Sequence, residues 1–126
     1  MPTILLIDDD EALCNVTAEI LGQAGYQVDC ASNGKGGLEL YEAGRHDVVI
    51  TDIAMPDIDG LELITTLSHS TPKPRIIAVS GDSHMSASVF LPTARHLGAQ
   101  ITLNKPIRAE ALLKAVAQVL AGPPPD

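Results

Sequence analysis

The chain has 126 residues, enough for one ordinary domain, and 45% of them are hydrophobic, so it can bury a core and is not a disordered chain. Sixteen acidic and eight basic residues give a formal charge of −8. This charge predicts a poor non-specific binder of nucleic acids and excludes an anionic membrane surface, because both carry charge of the same sign. The acidic excess lies in residues 1–62, which hold 13 acids and 2 bases, whereas residues 63–126 hold 3 acids and 6 bases.

The cysteines and the start of the chain bear on the compartment. Cys14 and Cys30 lack the spacing and the neighbouring histidines of a zinc site. We interpret them as buried thiols in a reducing compartment, and a single disulfide stays open as the alternative. No basic leader or cleavage site precedes the first apolar run, and no run reaches the roughly 18 residues of a membrane span. We therefore expect a cytoplasmic protein without a signal peptide.

Short apolar runs alternate along the chain with segments of helical periodicity. The apolar runs predict strands at residues 3–7, 27–31, 48–51, 76–79 and 101–103. The periodic segments predict helices at residues 13–21 (stopped at Gly25), 34–43, 61–67 and 112–120. Pro92 interrupts the pattern between the last two strands, so a helix there is expected to begin near Ser88 or to be irregular until Leu91. Five strand–helix units predict one parallel sheet with helices on both faces.

Polar side chains follow four of the five predicted strands. In chain order they are Asp8, Asp9 and Asp10, then Asp52, then Ser80, and finally Lys105. Because ligands bind at the carboxyl ends of the strands in open parallel sheets, we expect these side chains to share one site. Clustered carboxylates repel one another unless a cation lies among them, and oxygen ligands favour Mg²⁺. A lysine and a hydroxyl beside such a site suit a phosphoryl group.

Each of these residues also has an ordinary interpretation. The three aspartates can cap the first helix, Asp52 can be a loop acid, Ser80 a turn residue and Lys105 a surface lysine. Their coincidence at one edge of the predicted sheet favours a functional site instead. The ordinary interpretation is kept for the apolar stripe of residues 112–120, taken as core, and for four histidines taken as solvated surface residues: His46, His69, His84 and His96.

The sequence resembles the receiver domain of two-component response regulators. The motifs that carry the resemblance are the run Ile4–Asp10, the segment Asp52-x-x-Met55-Pro56-x-x-x-Gly60, the run Ala78–Gly81, and Lys105-Pro106, in the family's order. The resemblance covers residues 3–121. It implies a flavodoxin-like (βα)5 doubly wound fold with strand order 2-1-3-4-5, which would form the domain of residues 1–121. Residues 122–126 would be a Pro-rich tail or linker stub.

The resemblance implies a phosphoacceptor and a metal site. Asp52 would receive a phosphoryl group from a histidine kinase or a histidine phosphotransfer protein. Mg²⁺ (or Mn²⁺) would be bound directly by Asp9, with help from Asp8, and by Asp52 and the backbone carbonyl of Ala54. Asp10 resembles a helix-start residue more than a ligand.

The resemblance also implies roles for the residues after the last two strands. Ser80 would donate a hydrogen bond to the phosphoryl oxygens and Lys105 would pair with them, and the Lys105–Pro106 peptide bond is often cis in this family. An aromatic residue often precedes that lysine by three positions and acts in switching, but here the position is Thr102. The residue after Pro106, often Phe, is Ile107. The output signal is therefore expected to use another route.

The function implied is a signalling switch that catalyses only its own phosphorylation and dephosphorylation. It would act through contacts with a downstream protein or with an effector domain outside these residues, as a monomer or weak dimer. One alternative is a receiver-like binding module that works without phosphorylation. Another is a small Asp-nucleophile phosphatase, which Asp8-x-Asp10 imitates, but only Glu110 and Asp126 follow Lys105 as further acids. A flavodoxin-like cofactor binder is disfavoured, because three aspartates have the wrong charge for a phosphate.

Two positions are expected to tune the phosphoryl lifetime, Ala54 two residues after Asp52 and Asp82 two residues after Ser80. Ala54 has no side chain that can orient a water, whereas the Asp82 carboxylate can. We predict that the phosphorylated form lives longer in Asp82→Ala than in the wild type, as measured by loss of phosphoryl label with time. An unchanged rate of hydrolysis would remove Asp82 from the mechanism.

Overall fold

The computed structural model describes residues 2–53, 60–70, 73–80 and 97–122. The strands are β1 (Thr3–Ile7), β2 (Gln27–Ala31), β3 (Val48–Asp52), β4 (Arg75–Ser80) and β5 (Ile101–Asn104). The helices within these ranges are α1 (Glu11–Gln23), α2 (Gly34–Gly44), α3 (Gly60–Ser68) and the C-terminal helix (Ala109–Ala121). The helix predicted around Pro92 lies outside the described residues, as does the Pro-rich end from residue 123.

The five strands form one parallel sheet in the order β2-β1-β3-β4-β5, which confirms the predicted fold class. β3 and β4 are longer than predicted, because Asp52 pairs with Val79 and Ser80 pairs with Asn104 in the ladder. The register places Ile7 opposite Thr51, so β1 and β3 end within one residue of each other. The residues after these strands therefore emerge side by side.

Successive residues of the central strands pack on opposite faces of the sheet, as the two-residue period of a strand requires. Ile4 and Leu6 belong to the cluster that packs under α1 and the C-terminal helix. Leu5 and Ile7 belong to the cluster that packs under α2 and α3. Both faces are thus covered, which explains why these strands read as continuous apolar runs instead of alternating ones.

The predicted start and stop of α1 are both confirmed. Asp10 is the N-cap, and its Oδ1 accepts a hydrogen bond from the Leu13 N–H at 3.1 Å. Gly25, just beyond the helix, has a φ of +100°, a backbone conformation that favours glycine. The stripe on the C-terminal helix is core as predicted, with Leu112, Val116 and Val119 buried.

Two predictions about polar side chains are wrong. His46 is buried instead of solvated, because its Nε2 lies 2.8 Å from Asp29 Oδ2 and its ring packs beside Tyr41. Cys30 is exposed, since β2 is an edge strand, whereas Cys14 is buried as predicted. His69 is exposed as predicted, and His84 and His96 lie outside the described residues. None of the described helices is long and apolar enough to cross a membrane.

Gly37 allows the first turns of α2 to pack directly on Ile7, the last residue of β1. A Cβ at Gly37 would lie 2.8 Å from Ile7 Cγ1 and closer still to Cδ1, and Ile7 is only 1% exposed. We predict that Gly37→Ala lowers the free energy of unfolding by about 1–2 kcal/mol, because the buried isoleucine has no room to move. Chemical denaturation measures the change.

Gly22, in α1, is the matched control. It is exposed, and a Cβ there meets nothing within 4 Å. Gly22→Ala is therefore expected to stabilise the protein by roughly 0.5–1 kcal/mol through helix propensity. Adding Ile7→Val, which removes Cδ1, should recover part of the loss in Gly37→Ala. Equal effects of the two alanine substitutions would contradict the packing argument.

Candidate functional site

The candidate site lies at the carboxyl edge of the sheet, where backbone hydrogen bonds continue past the strands. The Asp8 N–H donates to the Ala31 carbonyl at 3.1 Å, and the Lys105 N–H donates to the Ser80 carbonyl at 2.9 Å. These bonds extend the ladder by a residue at β1 and β5. Because they fix the backbone of Asp8 and Lys105, the side chains of both residues start from defined positions.

Lys105 forms ion pairs with two aspartates of the site, Asp8 and Asp52. Its Nζ lies 2.9 Å from Asp8 Oδ2 and 2.9 Å from Asp52 Oδ2. The side chains are 19%, 14% and 5% exposed for Lys105, Asp8 and Asp52, respectively. Since β5 is separated from β3 by β4, only a long side chain can make this contact.

The protonation of Lys105 depends on these carboxylates. Burial by itself would lower the pKa of the Lys105 ammonium, but the hydrogen bonds and charges of Asp52 and Asp8 outweigh it and raise the pKa above the ordinary 10.5. Lys105 is therefore charged at neutral pH. It supplies one positive charge to the site.

Three carboxylates of the site could hold a metal ion. One oxygen from each of Asp8, Asp9 and Asp52 lies within 4.8 Å of the other two. Asp9 is exposed and Asp52 is buried, so the cluster extends from the sheet to the surface. Three carboxylates and one ammonium leave two negative charges uncompensated. This donor set fits a hard divalent cation, because such ions take oxygen ligands and balance that charge.

Both oxygens of Asp8 have defined contacts. Oδ1 accepts a hydrogen bond from the Asp10 N–H at 2.9 Å, and Oδ2 pairs with Lys105. Asp10 does not belong to the carboxylate cluster and acts as the N-cap of α1. The three consecutive aspartates thus have different surroundings. Asp8 pairs with Lys105, Asp9 is exposed within the carboxylate cluster, and Asp10 caps α1.

Ser80 and Thr102 lie on neighbouring strands at this edge. Ser80 is fully buried as the last residue of β4, next to the end of β3. Thr102 is half-buried on β5, opposite Ala78. The Lys105–Pro106 peptide bond is cis. Ala54 and Asp82, for which the sequence predicts roles, lie outside the described residues.

Sequence reasoning missed one neighbour of the site. Cys14 and Cys30 line a cavity of about 240 Å³ together with Asp8. Cys14 lies on α1 after the aspartates and Cys30 is the penultimate residue of β2, but only the pairing of β1 with β2 brings them together. The signal available in the sequence was that Cys14 lies near the start of the first helix and Cys30 near the end of the strand that follows it.

Fold and site together define a flavodoxin-like α/β domain with an acidic, lysine-bridged cluster at its carboxyl edge. The family described as the response regulator receiver domain matches residues 4–117. The chain belongs to this family.

Curated relatives extend beyond the region they share with this chain. The nitrate/nitrite response regulator protein NarL of Escherichia coli is 37% identical over 122 residues, which cover 95% of this chain and 55% of NarL. The DNA-binding transcriptional regulator NtrC of Azospirillum brasilense is 33% identical over 118 residues, which cover 94% of this chain and 24% of NtrC. The chain thus spans from about a quarter to about half of the length of these relatives.

Solved structures match along nearly the whole chain. A CheY-like response regulator receiver domain protein from Methanospirillum hungatei has a TM-score of 0.85 at 30% identity, covering 95% of this chain and 94% of its own. The chemotaxis protein CheY4 of Vibrio cholerae has a TM-score of 0.84 at 26% identity, covering 94% of this chain and 98% of its own. The predicted family and fold are therefore confirmed.

Removing the Lys105 charge tests the bridge. We predict that Lys105→Gln lowers the free energy of unfolding at pH 8 by about 2–4 kcal/mol, because Asp8 and Asp52 lose their shared cation in a partly buried site. The raised pKa sets the pH dependence. The stabilisation is present in full below the ordinary pKa of 10.5 and is lost as the pH rises through the higher folded-state value.

Urea unfolding of both proteins between pH 7 and pH 11, without divalent cations, measures this difference. Lys114→Gln is the matched control, since Lys114 is exposed on the C-terminal helix. It is expected to change stability by less than about 0.5 kcal/mol. A similar loss in both variants would show that net charge, not the bridge, is responsible.

Proposed function

We propose that this chain is a phosphorylation-controlled switch whose phosphoacceptor is Asp52. The observation that carries the proposal is the bridge from Lys105 to both Asp8 and Asp52, each at 2.9 Å, with Asp9 in the same carboxylate cluster. This arrangement combines an acceptor carboxylate, a cation for phosphoryl oxygens and a metal-binding set. Family membership supports it over the small phosphatase considered from the sequence.

In the proposed reaction, an Asp52 carboxylate oxygen attacks the phosphorus of a phosphohistidine on a histidine kinase or phosphotransfer protein. The new O–P bond forms as the N–P bond breaks, and the histidine nitrogen leaves with the bonding electron pair. Lys105 moves its hydrogen bond from the carboxylate to a phosphoryl oxygen, where it balances the added negative charge. Ser80, at the end of β4, would donate a hydrogen bond to another phosphoryl oxygen.

Asp8, Asp9, Asp52 and the Ala54 carbonyl would hold Mg²⁺ (or Mn²⁺). When bound, the ion neutralises charge on the transferring phosphoryl group. The chain's own contribution is to hold three carboxylates together before the donor arrives, which Lys105 and the Asp10 N–H do by fixing Asp8. Apart from phosphorylation and hydrolysis at Asp52, we propose no catalysis.

The output of the switch would pass through protein contacts in the cytoplasm. Thr102 is half-buried and offers no aromatic ring to swing, so a change at Ser80 would be transmitted along β4 and β5 without one. NarL and NtrC are regulators longer than this chain, so the proposed target is either a separate protein or a linked effector domain. Residues 1–121 would be the receiver, acting as a monomer or weak dimer.

Intact-mass measurement tests the phosphoacceptor directly. After incubation with MgCl₂ and acetyl phosphate, the wild type should gain the mass of one phosphoryl group, and Asp52→Asn should gain none. Asp10→Asn is the matched control, because asparagine also caps a helix and Asp10 is outside the carboxylate cluster. It should be labelled like the wild type. A wild type that stays unlabelled, or an Asp52→Asn that is labelled equally, would overturn the proposal.

A further inference from the structure

The two cysteines lie against each other next to the acidic cluster. Cys14 is on α1 and Cys30 is on the edge strand β2. The Cys30 thiol donates a hydrogen bond to the Cys14 carbonyl oxygen across 3.8 Å. Elements packed side by side therefore hold the Cys30 sulfur against Cys14.

The two thiols differ in access and reactivity. Cys30 is exposed and Cys14 is buried, and both line the 240 Å³ cavity that Asp8 and Glu11 also line. Burial, with the contact from Cys30 and nearby negative charges, raises the pKa of Cys14 to about 12. Cys30 is the exposed thiol of the two, so a reagent that enters the cavity reaches it first.

We propose that Cys14 and Cys30 are a redox-active thiol pair that hydroperoxides convert to an intramolecular disulfide. The Cys30 sulfur attacks the O–O bond, which breaks to give a Cys30 sulfenic acid and an alcohol, or water from hydrogen peroxide. The Cys14 sulfur then attacks the Cys30 sulfur, forming the S–S bond and releasing one water. In total two thiols are oxidised, one hydroperoxide is reduced, and two protons end in the alcohol and water.

A short chain of hydrogen bonds connects this pair to the carboxylates. The Cys14 N–H donates to the Asp10 carbonyl at 3.0 Å, and the Asp10 N–H donates to Asp8 Oδ1 at 2.9 Å. Closing an S–S bond draws Cys14 towards β2, which displaces the first turn of α1 and through it Asp8. This effect rests on the proposed function of the site. It predicts at least a twofold slower phosphorylation of the oxidised protein by acetyl phosphate and Mg²⁺.

The test treats the full chain with a small excess of hydrogen peroxide, then unfolds it in guanidinium chloride and blocks the remaining thiols with N-ethylmaleimide. Intact mass of the wild type should show the loss of two hydrogens and no maleimide, reversed by dithiothreitol. Cys30→Ser, at an exposed position, should fold, resist oxidation and keep one thiol that is blocked. Cys14→Ser should gain oxygen at Cys30 without losing two hydrogens.

Each other outcome counts against the pair. Cys30 oxidised to stable oxyacids in the wild type, or disulfide-linked dimers, would show that Cys14 does not resolve the sulfenic acid. A disulfide that leaves the phosphorylation rate unchanged would overturn the link to Asp8. If the reduced protein takes no phosphoryl group at all, the proposed function fails, while the mass loss still decides whether the disulfide forms.

Discussion

The contact on which the carboxyl edge depends is the ammonium of Lys105 between Asp8 and Asp52. Carboxylate oxygens held within 4.8 Å of one another in a partly buried site repel one another. A single cation within 2.9 Å of two of them offsets much of that repulsion. The parallel sheet provides the geometry, because it ends β1 and β3 within one residue of each other and carries β5 close enough for a lysine to reach Asp8 and Asp52.

The sheet divides the interior into two clusters that meet the site in different ways. The cluster under α1 contains Cys14, whose N–H donates to the Asp10 carbonyl, and the Asp10 N–H in turn donates to Asp8. The cluster under α2 contains Ile7, which precedes Asp8 and lies against Gly37. Packing changes on either face therefore reach the same carboxylates through different residues.

Much of the fold follows from local pattern, and so does the choice of candidate residues. The strands, the Asp10 cap and the stop at Gly25 depend on nearby sequence, which is why they were predictable. The extra residue of β3 was not, because Asp52 joins the strand only by pairing with Val79 on β4. The exposure of Cys30 was also missed, because it depends on β2 lying at the edge of the sheet. Composition and periodicity describe one strand or helix at a time, whereas the length of β3 and the exposure of Cys30 depend on which strands pair in the sheet.

The order of the site residues along the chain has a consequence for biosynthesis. The acids at positions 8, 9 and 52 leave the ribosome well before the lysine at 105. A sheet that formed before β5 emerged would hold its carboxylates without their ammonium partner, and closing that long-range contact costs loop entropy. The positive charge that balances the carboxylates is thus synthesised only after the residues of β5. A polypeptide released before β5 would keep an electrostatically strained edge, so the site itself disfavours stable folding of incomplete chains.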